Sequence, residues 1–123
     1  MGQKILVIDD ERHIRMLYQE ELQNDGYEVA MSDGSEPVVQ VIDREKPDLL
    51  LLDIKLGPST SGLDLLQTLR GPYPDLPVIL STAYDSFQYD LKSIAADDYV
   101  VKSVDLTELK EKVRDTLKKK SAG

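Results

Sequence analysis

Five short and mostly continuous apolar runs constrain this chain more than any other feature: Lys4 to Ile8, Tyr27 to Met31, Asp48 to Leu52, Pro77 to Leu80 and Asp98 to Val101. A strand with one wet face alternates apolar with polar residues, whereas an unbroken apolar run belongs to a strand buried on both faces. Helical patterns fill the intervals. The clearest are Ile14, Leu17, Tyr18 and Leu22 in the first, and Leu106, Leu109, Val113 and Leu117 in the last. Gly26 is expected to stop the first helix, and Pro37 falls in the first turn of the second. A third helix runs from about Leu63 to Leu69, and a fourth, weakly amphipathic, from about Ser86 to Ala95. Asp105 with Glu108 makes an N-terminal capping pair for the fifth. Strict alternation of strand and helix predicts an α/β fold with a parallel sheet covered on both faces.

Four of the runs end in residues that carry chemistry. Ile5 to Ile8 leads into Asp9 and Asp10, Asp48 to Leu52 into Asp53, Pro77 to Leu80 into Ser81 and Thr82, and Tyr99 to Val101 into Lys102. In a parallel sheet these residues meet at one edge, outside the carboxyl ends of the strands, where open α/β sheets bind ligands. Three carboxylates, a hydroxyl and an amine sharing one pocket suit a divalent cation together with a phosphoryl group. Each residue alone has a plainer reading: Asp9-Asp10 as a solvated turn, Asp53 as a helix cap, Lys102 as an ion-pair partner and Tyr99 as core packing. Their joint placement at strand ends favours the site.

At 123 residues the chain fits one domain, 1–123, with a core of about 3–119 and a loose tail at 120–123. A formal net charge of -8 argues against nucleic acid or an anionic membrane as partner. The absence of cysteine excludes a disulfide framework, a thiol nucleophile and a Cys-type zinc site. Met1 to Lys4 leads directly into the first strand without a signal peptide, and no apolar stretch reaches the length of a membrane span, so a cytoplasmic location is expected. His13, the only histidine, reads as a solvated side chain.

The segments Lys4-Ile-Leu-Val-Ile-Asp-Asp-Glu11, Pro47-Asp-Leu-Leu-Leu-Leu-Asp53, Pro77-Val-Ile-Leu-Ser-Thr-Ala-Tyr84 and Asp97-Asp-Tyr-Val-Val-Lys102, in this order, resemble the receiver domains of bacterial two-component response regulators, of the single-domain chemotaxis or sporulation-regulator type. The resemblance covers the whole chain. It implies a flavodoxin-like (βα)5 fold with strand order 2-1-3-4-5 and a phospho-accepting aspartate at Asp53. It implies Mg²⁺, or Mn²⁺, held by the side chains of Asp10 and Asp53 and the backbone carbonyl of Lys55, with Asp9 acting through water. Thr82 would be the switch hydroxyl, Lys102 the phosphoryl-contacting amine and Tyr99 the aromatic switch. Lys55, Ala83 and Tyr84 would tune access to the phosphoryl group, and the bulk of Lys55 and Tyr84 implies slow self-dephosphorylation. The implied donor is a sensor histidine kinase or a histidine phosphotransfer protein. The implied output is a changed surface on the fourth helix, fifth strand and fifth helix, offered to a downstream protein by a monomer or a weak dimer. Such a protein assists its own phosphorylation and is not otherwise an enzyme.

The chain departs from the family in two places. Ser103 follows Lys102 where a cis proline is usual, which leaves the loop and the position of the amine open. Gly57-Pro58 and Gly62 point to one inserted residue in the loop after Asp53. Three other functions compete. A phosphorylation-independent binding module would keep the fold, with Ser103 as its main support. An aspartyl-nucleophile phosphohydrolase would carry its nucleophile after the first strand and needs a cap for which there is no room. A flavodoxin would need a first loop without Asp9, Asp10 and Glu11, which repel a flavin phosphate.

Overall fold

A computed structural model describes residues 3–55, 61–83, 95–102 and 105–122. Five parallel strands, β1 (Lys4–Ile8), β2 (Glu28–Ser32), β3 (Leu49–Asp53), β4 (Val78–Thr82) and β5 (Asp98–Val101), form one sheet in the order β2-β1-β3-β4-β5. Helices α1 (Arg12–Asn24), α2 (Val38–Glu45), α3 (Gly62–Arg70) and a C-terminal helix (Thr107–Ala122) complete the described elements. This is the flavodoxin-like arrangement that the resemblance implied.

The two-residue period of the strands explains how both faces are covered. Ile5, Val7, Leu49, Leu51, Ile79 and Val100 pack with Tyr18 and Leu22 of α1 and with Leu109, Val113 and Leu117 of the C-terminal helix. Leu6, Ile8, Leu50, Leu52, Val78 and Leu80 turn the other way, onto Val38, Val41 and Ile42 of α2 and Leu66 and Leu69 of α3. All residues of β3 and β4 are buried, as unbroken apolar runs require. The edge strand β2 differs, with Glu28 and Met31 exposed, because no strand flanks its outer side.

Several boundaries move by a residue or two. Asp53, Ser81 and Thr82 belong to their strands rather than following them, because register pairs Asp53 with Ser81 and Thr82 with Val101. Pro37 precedes α2 as its N-cap instead of lying in its first turn. Gly26, at a φ of +94°, stands two residues past the end of α1, in the conformation that a Cβ resists. Asp105 accepts the Thr107 N–H at 3.0 Å, the Asp105 half of the expected capping pair, while Glu108 stands 3.3 Å from the Lys112 ammonium. The fourth helix, Gly57-Pro58, Tyr84 and Ser103 lie outside the described residues.

The start of β5 is anchored by Arg70 at the end of α3. Its guanidinium donates to the carbonyls of Ala95 at 2.6 Å and Leu76 at 2.7 Å and stands 3.5 Å from Asp97. Burial of this guanidinium works to lower its pKa, opposed by Asp97 and Asp75. One side chain thus ties the entry of β4 to that of β5, which fixes where Lys102 emerges.

Candidate phosphoryl and metal site

Parallel register turns the sequence pattern into a cluster. Ile8 pairs with Leu52, Asp53 with Ser81 and Thr82 with Val101, so four strands end at nearly one level. Backbone bonds from Asp9 N to the Ser32 carbonyl at 3.1 Å and from Lys102 N to the Thr82 carbonyl at 2.7 Å carry the alignment one residue past the strands. The result is a cleft of about 340 Å³ lined by Asp10, Glu11, Asp53, Ile54, Lys55, Thr82, Ala83 and Lys102, with Asp9 beneath it.

Lys102 is the centre of charge. Its Nζ donates to Asp53 Oδ2 at 3.1 Å and Glu11 Oε1 at 3.0 Å, and stands 3.0 Å from Asp9 Oδ2. The contact to Asp9 is a charge contact only, since Asp9 Oδ2 is buried and accepts no hydrogen bond. Burial alone would lower the lysine pKa; the carboxylates of Asp9, Glu11 and Asp53 outweigh it and raise the pKa. The Asp53 carboxyl is pushed up to about 6, first by burial and next by Asp9, against the opposing pull of Lys102 and the Lys55 N–H.

Asp9, Asp10 and Asp53 each offer a carboxylate oxygen, and these oxygens lie within 4.8 Å of one another. Oxygen donors in this number suit a hard divalent cation. The buried Asp9 Oδ2 is the second observation that fits one: it accepts no hydrogen bond and is compensated by the Lys102 ammonium 3.0 Å away, a role that a metal cation in the cleft could share.

The described residues on either side of 56–60 are held by hydrogen bonds. Lys55 N donates to Asp53 Oδ1 at 3.2 Å, and Gly62 N donates to the Ile54 carbonyl at 2.6 Å. Ser61 Oγ accepts the Leu63 N–H as the N-cap of α3. A Cβ on Gly62 would lie 1.9 Å from the Asp53 carbonyl oxygen, so only glycine allows this approach. Gly62→Ala is expected to destabilise the protein by about 2 kcal/mol or more and to displace the Asp53 loop. Urea unfolding with and without Mg²⁺ checks this: stability should fall and the affinity for Mg²⁺ should weaken with it.

Most expected residues come together here: Asp9, Asp10, Asp53, Lys55, Thr82, Ala83 and Lys102. Tyr99 stands apart from the cleft, half-buried on β5, with the Lys112 ammonium of the C-terminal helix 4.7 Å from its ring centroid. His13 is exposed, with Glu11 Oε2 3.5 Å from its Nε2. Two participants are absent from the sequence reading. Glu11 figured there only as part of an acidic run, although its place after Asp9-Asp10 was a signal. Tyr18, read as a helix-face residue, is a fully buried tyrosine whose pKa burial raises, with Ser81 as a nearby hydroxyl that opposes the rise.

Fold and site together are those of a receiver module, and comparison with known proteins agrees. Residues 5–114 match the response regulator receiver domain family, and the chain belongs to that family. Among relatives, the response regulator MprA of Mycobacterium tuberculosis is 34% identical over 121 residues, 97% of this chain and 52% of its own length. The chain therefore spans about half the length of that relative. Sporulation initiation phosphotransferase F of Bacillus subtilis is 30% identical over 123 residues and is covered almost completely, 98% on both sides. Among solved structures, the response regulator TrrA of Thermotoga maritima, in complex with Mg(2+)-BeF, is 44% identical with a TM-score of 0.82, covering 93% of this chain and 98% of that one. TrrA has also been solved in complex with the histidine kinase ThkA.

Proposed function

We propose that this receiver domain accepts a phosphoryl group on Asp53 from a phosphohistidine of a sensor kinase or histidine phosphotransfer protein, and signals to a downstream protein through the face around Tyr99. The observation that carries this reading is the environment of Asp53. It is a buried carboxylate at a strand end, with one ammonium at 3.1 Å and two further carboxylates within 4.8 Å, at the floor of an open cleft. The relation to TrrA, solved both with Mg(2+)-BeF and with a histidine kinase, supports it.

In the proposed step an Asp53 carboxylate oxygen forms a bond to phosphorus as the phosphorus–nitrogen bond of the donor breaks. The imidazole leaves with the electron pair and takes a proton. With a pKa of about 6, Asp53 is mostly ionised at neutral pH and able to attack. Asp10 and Asp53 would hold Mg²⁺ with the Lys55 carbonyl, and Asp9 would act through water. When bound, the cation supplies cancellation of the charge that accumulates among carboxylates and phosphoryl oxygens. Lys102 gives a point charge to a phosphoryl oxygen, and the Thr82 hydroxyl donates to another. Movement of Thr82 toward the phosphoryl group would free space for Tyr99, and so alter the surface that β5 and the C-terminal helix present.

No described helix is long and apolar enough to cross a membrane. In this role the protein would act in the cytoplasm, beside the kinase domains that would supply its phosphate. Intact mass after incubation with a small-molecule phosphodonor and Mg²⁺ tests the reading. One added phosphoryl group is expected, absent without metal and absent from Asp53→Ala. No addition to folded protein that binds Mg²⁺ would favour the phosphorylation-independent module instead.

A further inference from the structure

We propose that Glu11 is a placeholder for the phosphoryl group: it occupies the open side of Lys102 in the resting protein and must be displaced before Lys102 can engage a phosphoryl oxygen. The proposal rests on Asp53 being the acceptor. It begins with the three carboxylates around Lys102, whose side chains differ sharply in exposure: 2% for Asp9, 5% for Asp53 and 46% for Glu11. The two aspartates are fixed at strand ends beneath the ammonium. Glu11, at the N-terminal edge of α1, is the one partner free to swing into water.

Space and charge then conflict. Glu11, Asp53, Thr82, Ala83 and Lys102 line the same cleft, and the phosphoryl group has to enter there. Glu11 Oε1 already accepts a hydrogen bond from Nζ at 3.0 Å, inside the cleft that a phosphoryl group on Asp53 would occupy. A carboxylate and a dianionic phosphoryl group competing for one ammonium repel each other in a partly desolvated site. The Glu11 N–H donates to Asp9 Oδ1 at 2.9 Å, which fixes the backbone and leaves only the side chain to move.

Glu11 is therefore a positioning residue that acts through Lys102 and sets a threshold against the phosphorylated state. In the resting state Glu11 Oε2 lies 3.5 Å from His13 Nε2, so its displacement would also alter the charge at that rim.

The test is the affinity for fluoroberyllate, a phosphoryl mimic, in the presence of Mg²⁺, followed by titration of the full chain and confirmed by the rate of phosphodonor labelling. Glu11→Gln and Glu11→Ala are expected to bind the mimic about three- to ten-fold more tightly than wild type and to label faster. Glu11→Asp separates reach from charge, because it keeps the charge but is one methylene too short to hold Lys102; it should follow Glu11→Ala. Equal or weaker binding by Glu11→Gln would overturn the proposal. Wild-type behaviour of Glu11→Asp would overturn it as well, assigning the effect to the charge of the rim. Thermal unfolding of each variant excludes misfolding as the cause. Failure of wild type to bind or label at all would instead contradict Asp53 as acceptor, and the placeholder role would fall with it.

Discussion

Replacing Lys102 by alanine is expected to cost the metal-free protein about 3 to 5 kcal/mol at neutral pH, the range for removing one partner from a buried charge cluster. Its side chain is 11% exposed, and its ammonium is shared by Asp9, Glu11 and Asp53. Without it, two buried aspartates face each other with no positive charge between them. Asp9 Oδ2, which has no hydrogen-bond donor even in the wild type, becomes wholly uncompensated. Glu11 contributes little to the loss, because it can turn into water. The same substitution should tighten Mg²⁺ binding, since the lysine and the cation compete for the same oxygens. Urea unfolding with and without Mg²⁺ measures both effects. The stability deficit should shrink strongly when the metal is added. A deficit that Mg²⁺ leaves untouched would show that Lys102 stabilises by packing and not by charge.

The second large effect has the opposite sign. Asp53→Asn is expected to make the metal-free protein more stable than wild type at pH 7, by up to roughly 3 kcal/mol. The carboxyl has a pKa of about 6 in the folded state against 3.8 as the ordinary value. A carboxyl raised on folding holds its proton more tightly in the native state. Its contribution is fully present below pH 3.8 and is lost as pH rises through about 6. The difference in stability between wild type and Asp53→Asn should therefore open between pH 4 and 6.5 and then remain level, while titrating groups that do not touch Asp53 cancel in the subtraction. Mg²⁺ should reverse the order by stabilising only the protein that retains the carboxylate. A pH-independent difference would contradict a strained Asp53. Lys102 and Asp53 thus have opposite roles in the resting protein: one relieves the acidic site, and the other maintains the tension that Mg²⁺ and a phosphoryl group discharge.

Much of the fold could be read from the chain because its strands are unbroken apolar runs. The runs from Leu49 to Leu52 and from Val78 to Leu80 have no polar position, and a parallel, doubly covered sheet is the arrangement that buries both of their faces. β4 differs most from its apolar run, extending two residues further to Thr82, while the edge strand β2, with exposed Glu28 and Met31, follows a weaker pattern. Boundaries shifted where hydrogen bonding overrides hydrophobicity, as at Ser81 and Thr82, which are polar and yet paired with Asp53 and Val101.

The site was legible to the extent that it depends on residues ending strands. Asp9, Asp53, Thr82 and Lys102 follow from strand order and register alone. What escaped depends on side-chain reach. The bond from Lys102 to Glu11 spans 91 positions in sequence, and nothing local to either residue announces it. The tight packing of Gly62 against the Asp53 carbonyl has the same character: the glycine was noticed as a shift of one position, whereas its cause is a backbone contact across the loop. Likewise, the ammonium of Lys112 beside the Tyr99 ring joins the last helix to β5 through a long side chain that a helical pattern assigns only to the surface.

The central claim is that Asp53 is the phosphoryl acceptor, and the most direct test is to locate the phosphoryl group after transfer. Protein labelled by a small-molecule phosphodonor with Mg²⁺ would be reduced with borohydride, which converts an aspartyl phosphate into homoserine, and its peptides sequenced by mass. Homoserine is expected at position 53, with unchanged aspartate at positions 9 and 10. Homoserine at either of those positions, or a phosphoryl group found on His13, would contradict the claim.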